Sequence, residues 1–217
     1  MTIKIELYFY FKYFIIPNQM VNYTTLSHKL VATLRHNALK LGLTLDEKAM
    51  VKLDDLLSLE LFRKFTEADV QHVCSNCPKQ RLRLEEREDG IYIGANQGHT
   101  FKINSDTTLE FLTIEKIAEL NIENFIHGTY RNCIDTIKLL GLSKMSRQHI
   151  HIATGFAEFG EVISGFRKSS EVLIYLDVKK AINDGYKFYL SQNGVILTEG
   201  NHEGYLPAKY ITKIVNK

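Results

Sequence analysis

The sequence predicts an α+β protein whose first half is helical and whose second half is built mainly of strands. Three observations carry this. Residues 24–41 set Leu26, Leu30, Leu34 and Ala38 at helical spacing. Leu82–Glu86 and Gly90–Ile93 read as two strands joined by a turn over 86–90. In the second half, short apolar or alternating runs such as His149–Ala153 and Glu171–Asp177 are separated only by brief helical stretches.

In chain order, the first helix has Thr24 or Thr25 as its expected cap and Gly42 as its stop. Residues 51–57 and 60–65 suggest a short strand and then a helix. Thr66 opens another helix, with Asp69 in the capping-box position. The hairpin follows, then a strand-like Phe101–Ile103, a polar loop and a helix over Ile114–Leu120. Helices first and then a small hairpin is the order of a winged-helix module. After Phe125-Ile126, the expected elements are a helix over Cys133–Leu140 ended by Gly141, a strand at His149–Ala153 and a loop over Gly155–Gly165. A strand at Glu171–Asp177, a helix at Val178–Asn183 and a hairpin around Gln192-Asn193-Gly194 complete the chain.

Composition excludes several classes. The 217 residues are 45% apolar and 24% charged, with a net charge of +2, so the molecule is neither a polycation nor low-complexity. A local basic patch still suffices for nucleic acid. Lys79, Arg81, Arg83 and Arg87 around the hairpin are either a solvated face or a phosphate-tracking surface. Ile5–Ile16 is apolar but shorter than the roughly 20 residues of a membrane span. It also lacks the pattern of a signal peptide. Residues 1–21 are an N-terminal extension in which Met20 is the expected true start, with an added strand as the alternative. Cys74, Cys77 and Cys133 are an odd set that suits a reducing compartment. Cys74-x-x-Cys77 lacks the second ligand pair a zinc site needs, so structural or exposed thiols are expected.

Three stretches are candidates for chemistry. Arg35-His36 are adjacent helical residues pointing about 100° apart. They either flank a ligand or serve as a solvated Arg and a dipole-complementing His. Ala95-Asn96-Gln97-Gly98-His99 ends a strand in a cluster of small and polar groups. It is either a hairpin corner or a ligand loop. His127, His149 and His151 have the residue type of a metal set but not the spacing. His127-Gly128-Thr129 at a strand end suits a ribose hydroxyl better.

Taken together, these pieces resemble the NAD-dependent RNA 2′-phosphotransferases, which act on spliced tRNA. The resemblance runs from about Leu26 to Ile211. It comprises Leu26-Ser27-His28-Lys29-Leu30 with Leu34-Arg35-His36, then Val51-Lys52-Leu53-Asp54-Asp55-Leu56-Leu57, then Ala95-Asn96-Gln97-Gly98-His99. His127-Gly128-Thr129 follows, then Met145-Ser146-Arg147-Gln148-His149-Ile150-His151 and Ser164-Gly165-Phe166-Arg167-Lys168-Ser169. Asn193-Gly194-Val195-Ile196-Leu197-Thr198 and Gly204-Tyr205-Leu206-Pro207 complete it.

The resemblance implies a winged-helix RNA-binding lobe over 22–120 and an ADP-ribosyltransferase-like NAD-binding lobe over 121–217. It implies that an RNA 2′-phosphate attacks the nicotinamide ribose and displaces nicotinamide. A ribose hydroxyl then takes the phosphorus, giving 2′-hydroxyl RNA and ADP-ribose 1″,2″-cyclic phosphate without a metal. It assigns catalysis to Arg35, His36 and Arg167, and NAD contacts to His127, Gly128, Thr129, His149, Ser169 and Val195. The RNA phosphate falls to the loop Asn96, Gln97, Gly98 and His99. A monomer in the cytoplasm or nucleus, with no membrane partner, is expected.

One position departs from the family. Gly94 stands where an arginine is expected, and the loss of one charged phosphate contact costs roughly 1.5–3 kcal/mol. Arg81 or Arg83 across the hairpin reaches in, or the position is altered, or the second step is slow. In the last case the chain becomes an ADP-ribosyltransferase that caps phosphorylated RNA or DNA ends. On this basis Gly94→Arg is expected to raise the rate.

Overall fold

Asn22 opens the first helix, α1 (Tyr23–Ala32), with its side chain accepting from the Thr25 backbone N–H at 2.9 Å. The cap therefore lies ahead of the two threonines expected from the sequence, because Asn22 has the extended backbone and short acceptor that an N-cap requires. The computed structural model describes residues 21–154, 167 and 169–217. The expected extension at 1–20 with Met20, the loop at 155–165, and Ser164, Gly165, Phe166 and Lys168 lie outside the described residues.

α1 does not run on as a regular helix. Thr33–Asn37 winds as a π-helical turn and Leu39–Leu41 as a 3₁₀ turn, before Gly42 stops the chain at φ 77°. The extent matches the expectation, but the winding does not. A π turn widens the helix by one residue and re-aims the side chains it carries, here Arg35 and His36.

β1 (Met50–Lys52) leads directly into α2 (Leu53–Ser58), and residues 60–65 are turns rather than the expected helix. Asp54 and Asp55 fall in the first turn of α2, where carboxylates complement the helix dipole. α3 (Glu67–Ser75) starts with the expected capping box between Thr66 and Asp69. β2 (Leu82–Arg87) and β3 (Gly90–Ala95) form the expected hairpin, and β1 adds on its other side in the antiparallel order β1-β3-β2. No strand forms at 101–103, where the chain crosses between the halves.

The second half continues with α4 (Ser105–Thr108), β4 (Glu110–Phe111), α5 (Ile114–Glu119) and β5 (Ile126–Thr129). α6 (Ile134–Leu140), β6 (Leu142–Ser143), β7 (Ile150–Ile152), β8 (Val172–Leu176) and α7 (Val178–Asn183) follow. β9 (Tyr189–Leu190), β10 (Ile196–Thr198), β11 (Tyr205–Leu206) and β12 (Ile211–Asn216) end the chain. Its antiparallel sheets run β4-β9-β10-β7 and β12-β8-β5, with a separate β11-β6 pair. A bridge from Ile126 to Ala153 ties the two larger sheets together.

The fold is thus mixed α/β, with two main apolar clusters. One packs α1 and α3 on the first sheet through Leu26, Leu30, Leu34, Phe62, Val70 and Ile93. The other centres on Phe125, Ile150, Ile174, Phe188, Ile196 and Tyr210. Leu112 and Ile117, in the stretch read with the first half, pack into this second cluster, and β4 pairs with β9. The reason is local: the apolar side of α5 is short, and β4 leads it onto the second sheet.

Candidate active site

The π turn sets Arg35 into the interior between the halves, only 9% exposed. Its Nη2 donates to Gln97 Oε1 at 2.9 Å, and its carbonyl accepts from the Thr100 N–H at 3.0 Å. Gly98 lies directly beneath it. With φ at 90°, Gly98 holds a backbone that suits glycine, and a Cβ there would stand 3.2 Å from Arg35 Nε. The 96–99 loop is therefore shaped around the guanidinium.

Arg35 has no carboxylate partner among the described residues. Its Nε is buried without a hydrogen bond. Burial, then the charges of Arg147 and Arg81, lower its pKa to about 10, partly opposed by Cys77. A buried cation beside other cations is costly unless an anion joins it.

His36, exposed beside Arg35, has Nδ1 3.2 Å from Thr100 Oγ1, whose own proton goes to the Arg35 carbonyl at 3.3 Å. Nδ1 is thus the donor, and Nε2 remains as an acceptor. Burial and the Arg35 and Arg147 charges shift the ring downward, so it is neutral at neutral pH.

His99 is 1% exposed, with both ring nitrogens unpartnered among the described residues and its ring edge-on to Phe101 at 5.3 Å. Burial, then Arg35 and Arg83, press its pKa to about 3. The second half meets this loop through the Gln148 N–H, which donates to the His99 carbonyl at 2.9 Å.

Two histidines of the second half present acceptors. His127 Nδ1 lies 2.8 Å from the His151 carbonyl, and His151 Nδ1 lies 3.0 Å from the His149 carbonyl. A carbonyl only accepts, so both rings carry the proton on Nδ1 and leave Nε2 as an acceptor. His151 Nε2 is buried and has no partner among the described residues, and the Arg147 and Arg35 charges act on the ring after burial itself.

His149 faces elsewhere. Its Nε2 stands 2.9 Å from Ser105 Oγ, which also bonds Glu199 at 3.1 Å. Burial lowers its pKa to about 4 despite Glu199. Val195 is wholly buried with Tyr189 and Leu197. Thr129 is buried at the end of β5, and Gly128 pairs with Leu173 in β8.

Arg167 is exposed. Ser169 Oγ lies 2.9 Å from the Tyr130 hydroxyl, and hydrogen bonds from Ser169 and then Arg167 lower the Tyr130 pKa. The structure therefore gathers Arg35, His36, Gln97, Gly98 and His99 in one neighbourhood, with His151 near enough to feel the Arg35 charge. It holds His149 in a separate Ser105–Glu199 contact and Val195 in the core.

The resemblance assigns Arg147 no role. Half-buried, its charge acts on Arg35, His36, His127 and His151, and Arg167 acts on it in turn. The available signal was a cation two residues ahead of the His-Ile-His run.

The glycine at 94 is also explained. Arg83 lies opposite Gly94 across the hairpin, and its guanidinium carbon would be 3.4 Å from a Cβ at 94. It donates to the carbonyls of Ala95 at 2.8 Å and Lys48 at 2.6 Å, and to Asn96 Oδ1 at 3.3 Å. The same Cβ would meet Met50 Cγ at 2.9 Å. The arginine of Gly94→Arg would therefore share its space with Arg83 and Met50.

Comparison with known proteins identifies the family. The profile of the RNA 2′-phosphotransferase, Tpt1 / KptA family matches residues 22–200. The chain is 39% identical over 190 residues to tRNA 2′-phosphotransferase 1 of Danio rerio, covering 87% of this chain and 83% of that protein. It is 43% identical over 187 residues to the Bos taurus protein of the same name, with coverages of 85% and 72%. To tRNA 2′-phosphotransferase of Saccharomyces cerevisiae it is 32% identical over 197 residues, with coverages of 88% and 83%. The chain therefore belongs to the RNA 2′-phosphotransferase, Tpt1 / KptA family.

Proposed function

We propose that this protein removes the splice-junction 2′-phosphate from ligated tRNA with NAD as co-substrate. The observation that carries this is Arg35: a buried guanidinium with a neutral partner, further cations nearby and no carboxylate among the described residues. The ligand that completes such a site is an anion with several acceptor oxygens, and a phosphate monoester fits it. Arg147 and Arg167 enlarge the same positive field. Gln97 fixes the plane of the Arg35 guanidinium, and Gly98 keeps the space beside it open.

The residues present also fit NAD. His127 and His151 offer neutral acceptor nitrogens suited to ribose hydroxyls, and His151 Nε2 is a buried acceptor with no donor among the described residues. When bound, NAD would supply the ribose that accepts the phosphoryl group. The neutral His36 Nε2 stands beside Arg35 as a proton acceptor. The arginines hold the phosphate and stabilise the added charge as its oxygens are displaced.

In this reading the first half is a winged-helix lobe that takes RNA and the second an ADP-ribosyltransferase-like lobe that takes NAD. Helices followed by a hairpin, and the separate apolar clusters, support it. The boundary falls near residue 104, ahead of α4. A monomer acting in the cytoplasm or nucleus completes the proposal. The test incubates the protein with NAD and a short 2′-phosphorylated RNA and resolves the products. Free 2′-hydroxyl RNA with ADP-ribose cyclic phosphate is expected. Accumulated ADP-ribosylated RNA would favour the end-capping activity instead, and unconsumed NAD would overturn both.

A further inference from the structure

The turn after α3 carries Cys74 and Cys77 on the rim of an open cavity of about 640 Å³, lined also by Asn76, Gln80, Arg83 and Asn96. Both thiols are free and half-buried. Arg81 Nη1 donates to Cys77 Sγ at 3.6 Å. The same short turn is a junction. The Gln80 N–H donates to the Cys77 carbonyl at 2.8 Å, closing it. The Gln80 carbonyl accepts from Asn96 Nδ2 at 2.6 Å, and the Arg81 carbonyl accepts from the Asn96 N–H at 3.0 Å. From the second half, Asn193 Nδ2 donates to the Lys79 carbonyl at 2.9 Å. The residue that opens the loop beneath Arg35 is thus held by the segment that Cys77 starts.

We propose that Cys77 is a peroxide-reactive modification site, with Cys74 as its resolving thiol, and that its oxidation loosens the Asn96–His99 loop. The two thiols differ in the way such a pair requires. Burial pushes Cys77 up, but the backbone N–H groups of Arg81 and Lys79 and the Arg81 guanidinium outweigh it and hold the thiol below its usual range. Burial and the Cys77 charge push Cys74 up to about 12, so it is inert as the first nucleophile.

The chemistry balances. The Cys77 thiolate attacks the peroxide, an S–O bond forms, the O–O bond breaks and hydroxide leaves, so sulfur is oxidised and peroxide reduced. The resulting sulfenic acid carries no charge, which removes the smaller of the two influences raising Cys74 and leaves burial. Cys74 sulfur attacks the sulfenic acid, the S–S bond forms, the S–O bond breaks and water leaves with the Cys74 proton. A bond to Cys74 takes Cys77 Sγ away from Arg81 Nη1 and so removes a side-chain contact from the turn whose carbonyls hold Asn96.

This inference does not rest on the proposed reaction, and its test reads thiols and amides rather than turnover. Limiting iodoacetamide at neutral pH should label Cys77 on the order of tenfold faster than Cys133. Hydrogen peroxide should give a Cys74–Cys77 disulfide by peptide mass spectrometry. In Cys74→Ser the sulfenic acid should persist and be trapped by dimedone, and in Cys77→Ser no disulfide should form. Hydrogen exchange of the Asn96 amide should quicken on oxidation and return with reductant. Equal labelling of Cys77 and Cys133, or no disulfide under peroxide, would overturn the assignment of the thiol. A disulfide that leaves Asn96 exchange unchanged would overturn the coupling to the loop.

Discussion

Arg35 and Arg167 differ as much as two cations in one protein can. Arg35 is buried in a π turn, bonded to Gln97 and seated on Gly98. Arg167 is exposed beside Tyr130 and Ser169. The first is placed by the fold before any ligand arrives. It carries the desolvation cost in advance and so is worth most when an anion binds. The second stays hydrated and adds field at the rim. In the proposed site, Arg35 supplies precision and Arg167 supplies reach.

The sharpest way to break this contrast is at Gly98. Gly98→Ala puts a side chain at φ 90° and against Arg35, so activity should fall more than about a hundredfold and stability by about 1–3 kcal/mol. Kinetics and a denaturant melt measure both. Arg35→Lys should follow with a loss of about a hundredfold, because an ammonium replaces the planar fork while leaving Gln97 without its donor. Arg167→Ala should lower activity by roughly tenfold and leave the melting temperature unchanged, since exposed sites shift stability by under about 0.5 kcal/mol. Equal thermal losses for Arg167→Ala and Arg35→Lys would erase the distinction.

Acid sharpens it further. His99 and His149 have pKa values of about 3 and about 4 in the fold, against 6.5 ordinarily. Between these values the unfolded chain binds more protons, so stability is full above about 6.5 and falls as pH drops. Each histidine contributes up to about 1.4 kcal/mol per pH unit. Melts from pH 7 to 4 should show the decline, and His99→Gln should flatten it. The smallest effect is expected at Gly94. Gly94→Arg must move Met50, costing about 1 kcal/mol, and should not raise the rate while Arg83 holds that space.

Much of this was legible in the sequence. Leu26, Leu30 and Leu34 at helical spacing, and the Thr66–Asp69 capping box, are local signals that local structure obeyed. The ordered motifs name Arg35 and the 96–99 loop together, and the structure sets them in contact, with Gly98 against the guanidinium. What stayed hidden depends on distant partners. β12 pairs with β8 although no strand was read at 211–216, since pairing across the chain leaves little periodic trace. The π turn follows from what Arg35 meets at 97–100, not from propensity. His149 matches a motif, yet Ser105 and Glu199 claim its ring, and both are far away in sequence. Arg147 needed the fold to show which charges surround it.

The contrast between Arg35 and Arg167 has a shared premise: both act on one phosphate. A double-mutant cycle in single-turnover reactions of NAD with 2′-phosphorylated RNA tests it directly, comparing Arg35→Ala, Arg167→Ala and the pair. If one phosphate is held by both, the double variant will be scarcely slower than Arg35→Ala alone. If the two losses simply multiply, the cations serve separate tasks and the single phosphate site is wrong.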